Sequence, residues 1–162
     1  MLIGVTGDTH NNIKSISKIC SIFNELEVSQ VIHTGDVTLP KSLIAFSNLN
    51  MPLIGVFGNN DQEEKEDLIK TAEAFDCSFY DEPYFFKVNN IKIFIFHHPN
   101  LIENYHINNA DFIVHGHTHR FRLEKNDGAT IFNPGECAGI MKGKNKIGII
   151  NTSQNTIETI SF

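Results

Sequence analysis

The chain has 162 residues, 41% of them hydrophobic and 20% charged, and a formal net charge of −6. That balance excludes a disordered polymer and predicts one globular domain over residues 1–162, long enough to bury a core. It also argues against a nucleic-acid backbone or a membrane surface as partner, because both call for a basic face.

Leu2-Ile3-Gly4-Val5-Thr6 is a short apolar run that predicts a buried strand ending in Gly7-Asp8-Thr9-His10. The first apolar run is too short for a signal peptide and lacks a basic flank, and no stretch reaches the length of a membrane span. Cys20, Cys77 and Cys137 are odd in number and far apart, so no disulfide framework or thiolate zinc site is expected. A reduced, cytoplasmic setting is the expectation.

From Asn12 the period changes. Ile13, Ile16, Cys20 and Phe23 fall at helical spacing, which predicts an amphipathic helix over 12–27 with Asn11 or Asn12 as its N-cap. Gln30 to His33 reads as a second strand ending in Thr34-Gly35-Asp36. Pro40 opens a short helix to Asn48. Met51 to Phe57 is a third strand, ending in Gly58-Asn59-Asn60-Asp61. Asp61 and Glu64 have capping-box spacing before a helix whose inner face is Leu68, Ala72 and Phe75. Alternating strand and helix predicts a largely parallel sheet.

The second half reads as β structure. Tyr84–Val88 and Ile91–Phe96 form a hairpin about Asn89-Asn90, residues that tolerate positive φ. The second of these strands ends in His97-His98. Further strands are expected near 111–115, 120–125, 129–133, 146–150 and 156–160, with a turn at Asn126-Asp127-Gly128. In Val114-His115-Gly116-His117-Thr118-His119, continued strand geometry would point His117 and His119 the same way.

Polar residues therefore gather at strand ends: Asp8 and His10, Asp36, Asn59, His97, and His117 with His119. In open α/β sheets, ligands collect beyond the carboxyl ends of the strands. Glycine precedes several of these residues, at Gly7, Gly35, Gly58 and Gly116, where the backbone must turn or approach closely. Two carboxylates, one amide oxygen and four imidazoles suit borderline divalent ions and lack the thiolates of structural zinc. Seven ligands exceed one tetrahedral ion and suit two ions about 3.5–4 Å apart that share a carboxylate. Two such ions bring more positive charge than Asp8 and Asp36 remove, which favours an anionic substrate and phosphoester hydrolysis.

The pattern Asp8-x-His10, Gly35-Asp36, Gly58-Asn59-Asn60-Asp61, His97 and Gly116-His117-Thr118-His119 resembles the calcineurin-like metallophosphoesterases, in particular their small prokaryotic phosphodiesterases. The likeness covers nearly the whole chain and includes Asn133-Pro134-Gly135. It implies two mixed β-sheets packed face to face with helices on the outside. It implies one metal on Asp8, His10, Asp36 and His119, and another on Asp36, Asn59, His97 and His117, with Asp36 bridging. The implied cofactor is two divalent ions, manganese first, with nickel, iron or zinc as alternatives. The implied substrate is a small phosphoester, with no nucleic acid and no membrane as partner and with room for a homo-oligomer.

Two positions depart from the family. Asn60 stands where a histidine usually serves the transition state or leaving group, and His98-Pro99 replaces a glycine after His97. Asparagine cannot supply a proton. Asn60 and the neighbouring His98 are therefore the two candidate catalytic positions.

Singly, these residues have ordinary uses: Asp8 and Asn59 as turn or cap residues, Asp36 as turn chemistry, His97 as a core histidine. Jointly, they point to metal. No motif takes up His33, His106 or His115, which are expected to pack. Asp61 is expected to cap its helix, the acidic run from Glu63 to Asp67 to be a solvated helix start, and the phenylalanines Phe85, Phe86, Phe94 and Phe96 to fill the core. Cys137 is given no role. The competing function is a non-catalytic or weakly catalytic scaffold on the same fold, such as a retromer subunit. The complete ligand set favours the enzyme, and the lack of a basic or aromatic strand-binding tract disfavours a nuclease.

Overall fold

The computed structural model describes residues 1–105, 110–126 and 128–162. His106 and Asp127 lie outside the described residues.

Six strands form the first sheet: β1 (Leu2–Thr6), β2 (Gln30–His33), β3 (Leu53–Val56), β4 (Cys77–Tyr80), β10 (Lys146–Asn151) and β11 (Thr156–Ser161). Their order is β11-β10-β1-β2-β3-β4. The first four are parallel, and β10 and β11 close the edge antiparallel. β4 is an element that the sequence pattern did not reveal. Its side chains alternate between half-buried and exposed, with Phe79 the one buried position, so it shows little hydrophobic periodicity.

Five strands form the second sheet: β5 (Tyr84–Val88), β6 (Ile91–Ile95), β7 (Phe112–Val114), β8 (Arg122–Asn126) and β9 (Ala129–Asn133), in the order β5-β6-β7-β9-β8. Both sheets are mixed. The turn between β5 and β6 holds Asn89 at φ 48° and Asn90 at φ 67°, as the hairpin reading requires.

Strand alternation divides the core. Ile3 and Val5 of β1, Ile32 and Val56 meet Ile93, Ile95, Phe112, Val114 and Phe132 between the sheets. The other face of the first sheet packs on the helices: α1 (Ile13–Glu25), α2 (Pro40–Ile44) and α3 (Lys65–Ala72). α1 buries Ile16, Ile19, Cys20 and Phe23, and Asn12 caps it by accepting from the Ser15 amide at 3.2 Å. The Phe23 ring fills the space beside Gly4, where an added Cβ would sit 2.6 Å from it. A third cluster around Phe96, Ile113 and Ile131 covers the outer face of the second sheet, beneath the 3₁₀ turn Pro99–Asn104.

Three local expectations are corrected. Helix α3 starts at Lys65 with no side-chain cap, because the Asp61 carboxylate is used elsewhere. β7 ends at Val114, so His117 and His119 lie on a loop and owe their shared direction to its backbone rather than to strand alternation. Phe85 is 46% exposed and packs on Phe94, whereas Phe96 is buried.

Candidate metal centre

β1, β2, β3, β6 and β7 all end at one edge of the two sheets, and the residues that follow them converge there. Asp8, Asp36 and His97 are buried, while His10 and His119 are partly exposed. Five of the seven candidate ligands, Asp8, His10, Asp36, His117 and His119, have φ between 45° and 68°. Non-glycine residues hold the left-handed region only where the surroundings over-determine it, and such strain collects at functional sites.

Close approach does the rest. A Cβ on Gly58 would lie 2.1 Å from Asp36 Oδ1, and one on Gly116 would lie 2.7 Å from Asp8 Oδ2. Glycine at these two positions lets neighbouring strand ends come together.

The donor atoms form two nests. His10 Nε2 and His119 Nε2 are 3.2 Å apart, and Asp8 Oδ1 is 3.9 Å from His119 Nε2. Asn59 Oδ1 lies 3.0 Å from both His97 Nε2 and His117 Nδ1, and Asp36 Oδ1 lies 3.6 Å from His97 Nε2. Three groups, Asp8/His10/His119, Asp8/Asp36/His97 and His97/His98/His117, each bring their ligand atoms within 4.8 Å of one another.

Two of the histidines have their far nitrogen held, which turns the other towards the centre. His97 Nδ1 is 2.9 Å from the Thr34 carbonyl, so that nitrogen carries the proton and Nε2 presents a lone pair to the Asn59 oxygen. His119 Nδ1 is 3.3 Å from Glu136 Oε2, which likewise turns the Nε2 lone pair towards His10. Lone pairs aimed at one point suit a cation between them, and partners on the far nitrogen fix the tautomer as in ligating histidines.

Charge follows the same logic. Burial, with Asp36, Asp61 and Glu136 nearby, pushes the Asp8 carboxyl up to about 8, against the pull of the His117 amide. Burial also holds His10 and His97 below the ordinary imidazole value, in the neutral form that ligates. A buried carboxylate among other acids, facing neutral imidazoles, fits a divalent cation.

Three supporting residues carry no recognisable sequence signal of this role. Asp61, buried, accepts the backbone N–H groups of Asp36 (2.9 Å), Thr38 (2.6 Å) and Gly58 (2.7 Å), tying the β2 and β3 loops together. Glu82 accepts the amides of His97 (2.6 Å) and His98 (2.8 Å) and the His98 imidazole at 2.5 Å. Glu136 follows the Asn133-Pro134-Gly135 turn and meets His119. His33 and His115 pack as expected. His33 is held by the Thr9 hydroxyl and the Gly35 amide between Phe46 and Phe79, and His115 lies against Asn133. Asn60 donates its amide N–H to Asp36 Oδ1 (2.9 Å) and its side-chain Nδ2 to Asp36 Oδ2 (2.7 Å). The His98 ring stands 4.5 Å from that of His117.

Residues 1–155 match the family model of the calcineurin-like phosphoesterase superfamily domain. The chain belongs to that superfamily. A phosphodiesterase of Methanocaldococcus jannaschii is 32% identical over 163 residues, which is 99% of this chain and 98% of the relative. The solved structure of an archaeal phosphodiesterase has a TM-score of 0.87 at 34% identity, covering 100% of both chains. Vps29 of Entamoeba histolytica, solved in complex with zinc, shares the fold at 16% identity and a TM-score of 0.63, over 100% of this chain and 98% of the other. The expected calcineurin-like sandwich is thus the fold of this chain, and the superfamily's use of divalent metals agrees with the ligand groups at its strand ends. No helix among the described residues is long and apolar enough to cross a membrane.

Proposed function

We propose that this phosphoesterase is a dinuclear, divalent-metal-dependent phosphodiesterase acting on a small phosphoester. The observation that carries the reading is the pair of ligand nests joined through the buried carboxylates Asp8 and Asp36. Asp8, His10, Asp36 and His119 would hold one ion, and Asp36, Asn59, His97 and His117 the other. Two such ions would supply the charge that makes a water at the site more acidic and offsets the charge on the phosphoryl group. The water oxygen bonds to phosphorus, the bond from phosphorus to the leaving alcohol breaks, and that alcohol takes a proton.

The chain's own residues divide the remaining work. Thr34 and Glu136 orient His97 and His119 through their Nδ1 atoms. Asn60 spends its side-chain donor on Asp36 and acts as a positioning residue. Glu82 takes the His98 Nδ1 proton in hydrogen bonding, which leaves His98 Nε2 free to serve the leaving group beside His117. Histidine is the side chain that most often serves as a general acid or base. The same family relationship supports hydrolysis of phosphodiesters, the activity named for the Methanocaldococcus relative.

The deciding experiment is reconstitution. Chelator-treated protein should lose turnover of nitrophenyl diesters, and manganese or nickel should restore it. Metal content should fall from two per chain to below one in Asp36→Asn, and to about one in Asn59→Ala. Two tightly bound ions in Asp36→Asn would remove the bridging role. Two bound ions with no turnover of any ester would leave a scaffold.

A further inference from the structure

A cleft of about 290 Å³ opens beside the metal centre, and His119 lines both. Its walls come from the loop between β7 and β8 and the loop between β9 and β10. Arg120, Lys144 and Lys146 line it together with Phe121 and Met141. Three cations at one place stand out in a chain of formal net charge −6. Among the described residues of the lining, Glu136 is the one acid, and it is buried and engaged with His119 Nδ1 and the Ile140 amide. The three cations therefore outnumber the single carboxylate of the lining, which among the described residues pairs with His119 and with none of them. Phe121 is 47% exposed and Met141 45% exposed, so an apolar floor lies open at the same place. Lys146 Nζ sits 4.7 Å from the centre of the Phe121 ring, a cation–π contact within the lining.

The other side of the centre is built differently. There His98 lies against His117, with Glu82 holding His98 and Asn60 holding Asp36, where the leaving group would depart. A phosphodiester has two arms, and the cleft is of a size to take part of a ligand rather than a whole one. We propose that the cleft receives the retained arm of the substrate, and that this arm carries a second phosphate, bound by Lys144, Lys146 and Arg120. Phosphate is a strong acceptor of charge-assisted hydrogen bonds from such side chains. The proposal rests on the phosphodiesterase reading above.

A matched pair of chromogenic esters tests it on the metal-loaded protein: thymidine 5′-(p-nitrophenyl phosphate) and its 3′-phosphorylated counterpart. Both release the same nitrophenolate and differ only by the phosphate on the retained arm. The wild type should prefer the 3′-phosphorylated ester by roughly tenfold in kcat/KM, expressed in KM, and the preference should shrink with added salt. Lys144→Glu and Lys146→Met should each reduce the preference to about twofold or less, with rates on the singly charged ester near wild type. Calorimetric binding of thymidine 3′,5′-bisphosphate against thymidine 5′-monophosphate provides a readout independent of turnover. Equal rates and equal binding for the two members of each pair overturn the cleft assignment while leaving the phosphodiesterase reading intact. Tighter binding of the bisphosphate that Lys144→Glu abolishes, with neither ester hydrolysed, upholds the cleft and overturns the reaction.

Discussion

Asn60 and His98 show how a substitution in a motif acquires meaning from its contacts. An asparagine in place of the family histidine removes a proton donor, yet the Asn60 amide is not idle. It donates to Asp36 Oδ2 at 2.7 Å, the carboxylate proposed to bridge the ions. His98 lies in hydrogen-bond contact with Glu82 at 2.5 Å, with its ring against His117. His98→Ala should therefore slow esters of simple alcohols by about 10²–10⁴, the ordinary worth of a general acid, and change nitrophenyl diesters little. Asn60→His should leave the dependence on leaving-group pKa as it is. Rates across a graded ester series check both. A flattened dependence in Asn60→His with no change in His98→Ala would assign the proton to position 60 instead.

At the scale of elements, the centre is a meeting of strand ends, and its tolerance is set by how closely they approach. Gly58 has φ −94°, which any residue adopts, so backbone strain is not what keeps it glycine. An added Cβ would meet Asp36 Oδ1 at 2.1 Å and the Asp36 backbone nitrogen at 2.6 Å. The second of these atoms cannot swing aside, so the end of β3 would have to move away from the end of β2. Gly58→Ala should cost about 1–3 kcal/mol of stability, in the range of overpacked interiors. It should also weaken metal binding more than an alanine on the exposed surface of α3 does. Denaturant midpoints and metal titration measure the two effects, and a wild-type midpoint for Gly58→Ala would show that the strand ends are not in fixed contact. Asp61 acts in the same frame. Its carboxylate holds three backbone amides from the β2 and β3 loops, so the loops behave as one unit.

At the scale of the whole molecule, burial of histidine couples the fold to pH. His33 is fully buried, and burial lowers its pKa from 6.5 to about 3. Its folded value lies below its unfolded value, so the unfolded chain binds more protons between these limits. The His33 contribution to stability should therefore rise with pH through that window, level off above about 7 and fall as acid is added, opposed by the Asp8 carboxyl, whose raised value works in the other direction. One such group accounts for a loss of about 2 kcal/mol between pH 7 and pH 5. His33→Gln should reduce the slope by that amount. Urea unfolding at several pH values, with chelator present so that metal release does not contribute, checks it. An unchanged slope would mean that another group carries the acid sensitivity.

Much of this protein is legible in one dimension. Alternating apolar runs and the helical spacing of Ile16, Cys20 and Phe23 predict the strands and helices, because periodicity records which face is buried. All seven candidate ligands are visible because each follows a strand, and parallel strands bring their carboxyl ends to one edge. The Asn89-Asn90 turn is readable because its chemistry is local. What the sequence leaves undetermined depends on distant partners. β4 lacks a hydrophobic pattern of its own and is a strand because β3 offers it a hydrogen-bonding edge. Asp61 has the spacing of a helix cap but accepts amides from a loop 25 positions away. Glu82 reaches His98 across 16 positions. The cations at positions 120, 144 and 146 look scattered in the sequence, and only the folding of two loops beside His119 makes them one cleft. Periodicity reports burial, whereas a hydrogen bond or a charge cluster between remote segments exists only once the sheets have packed.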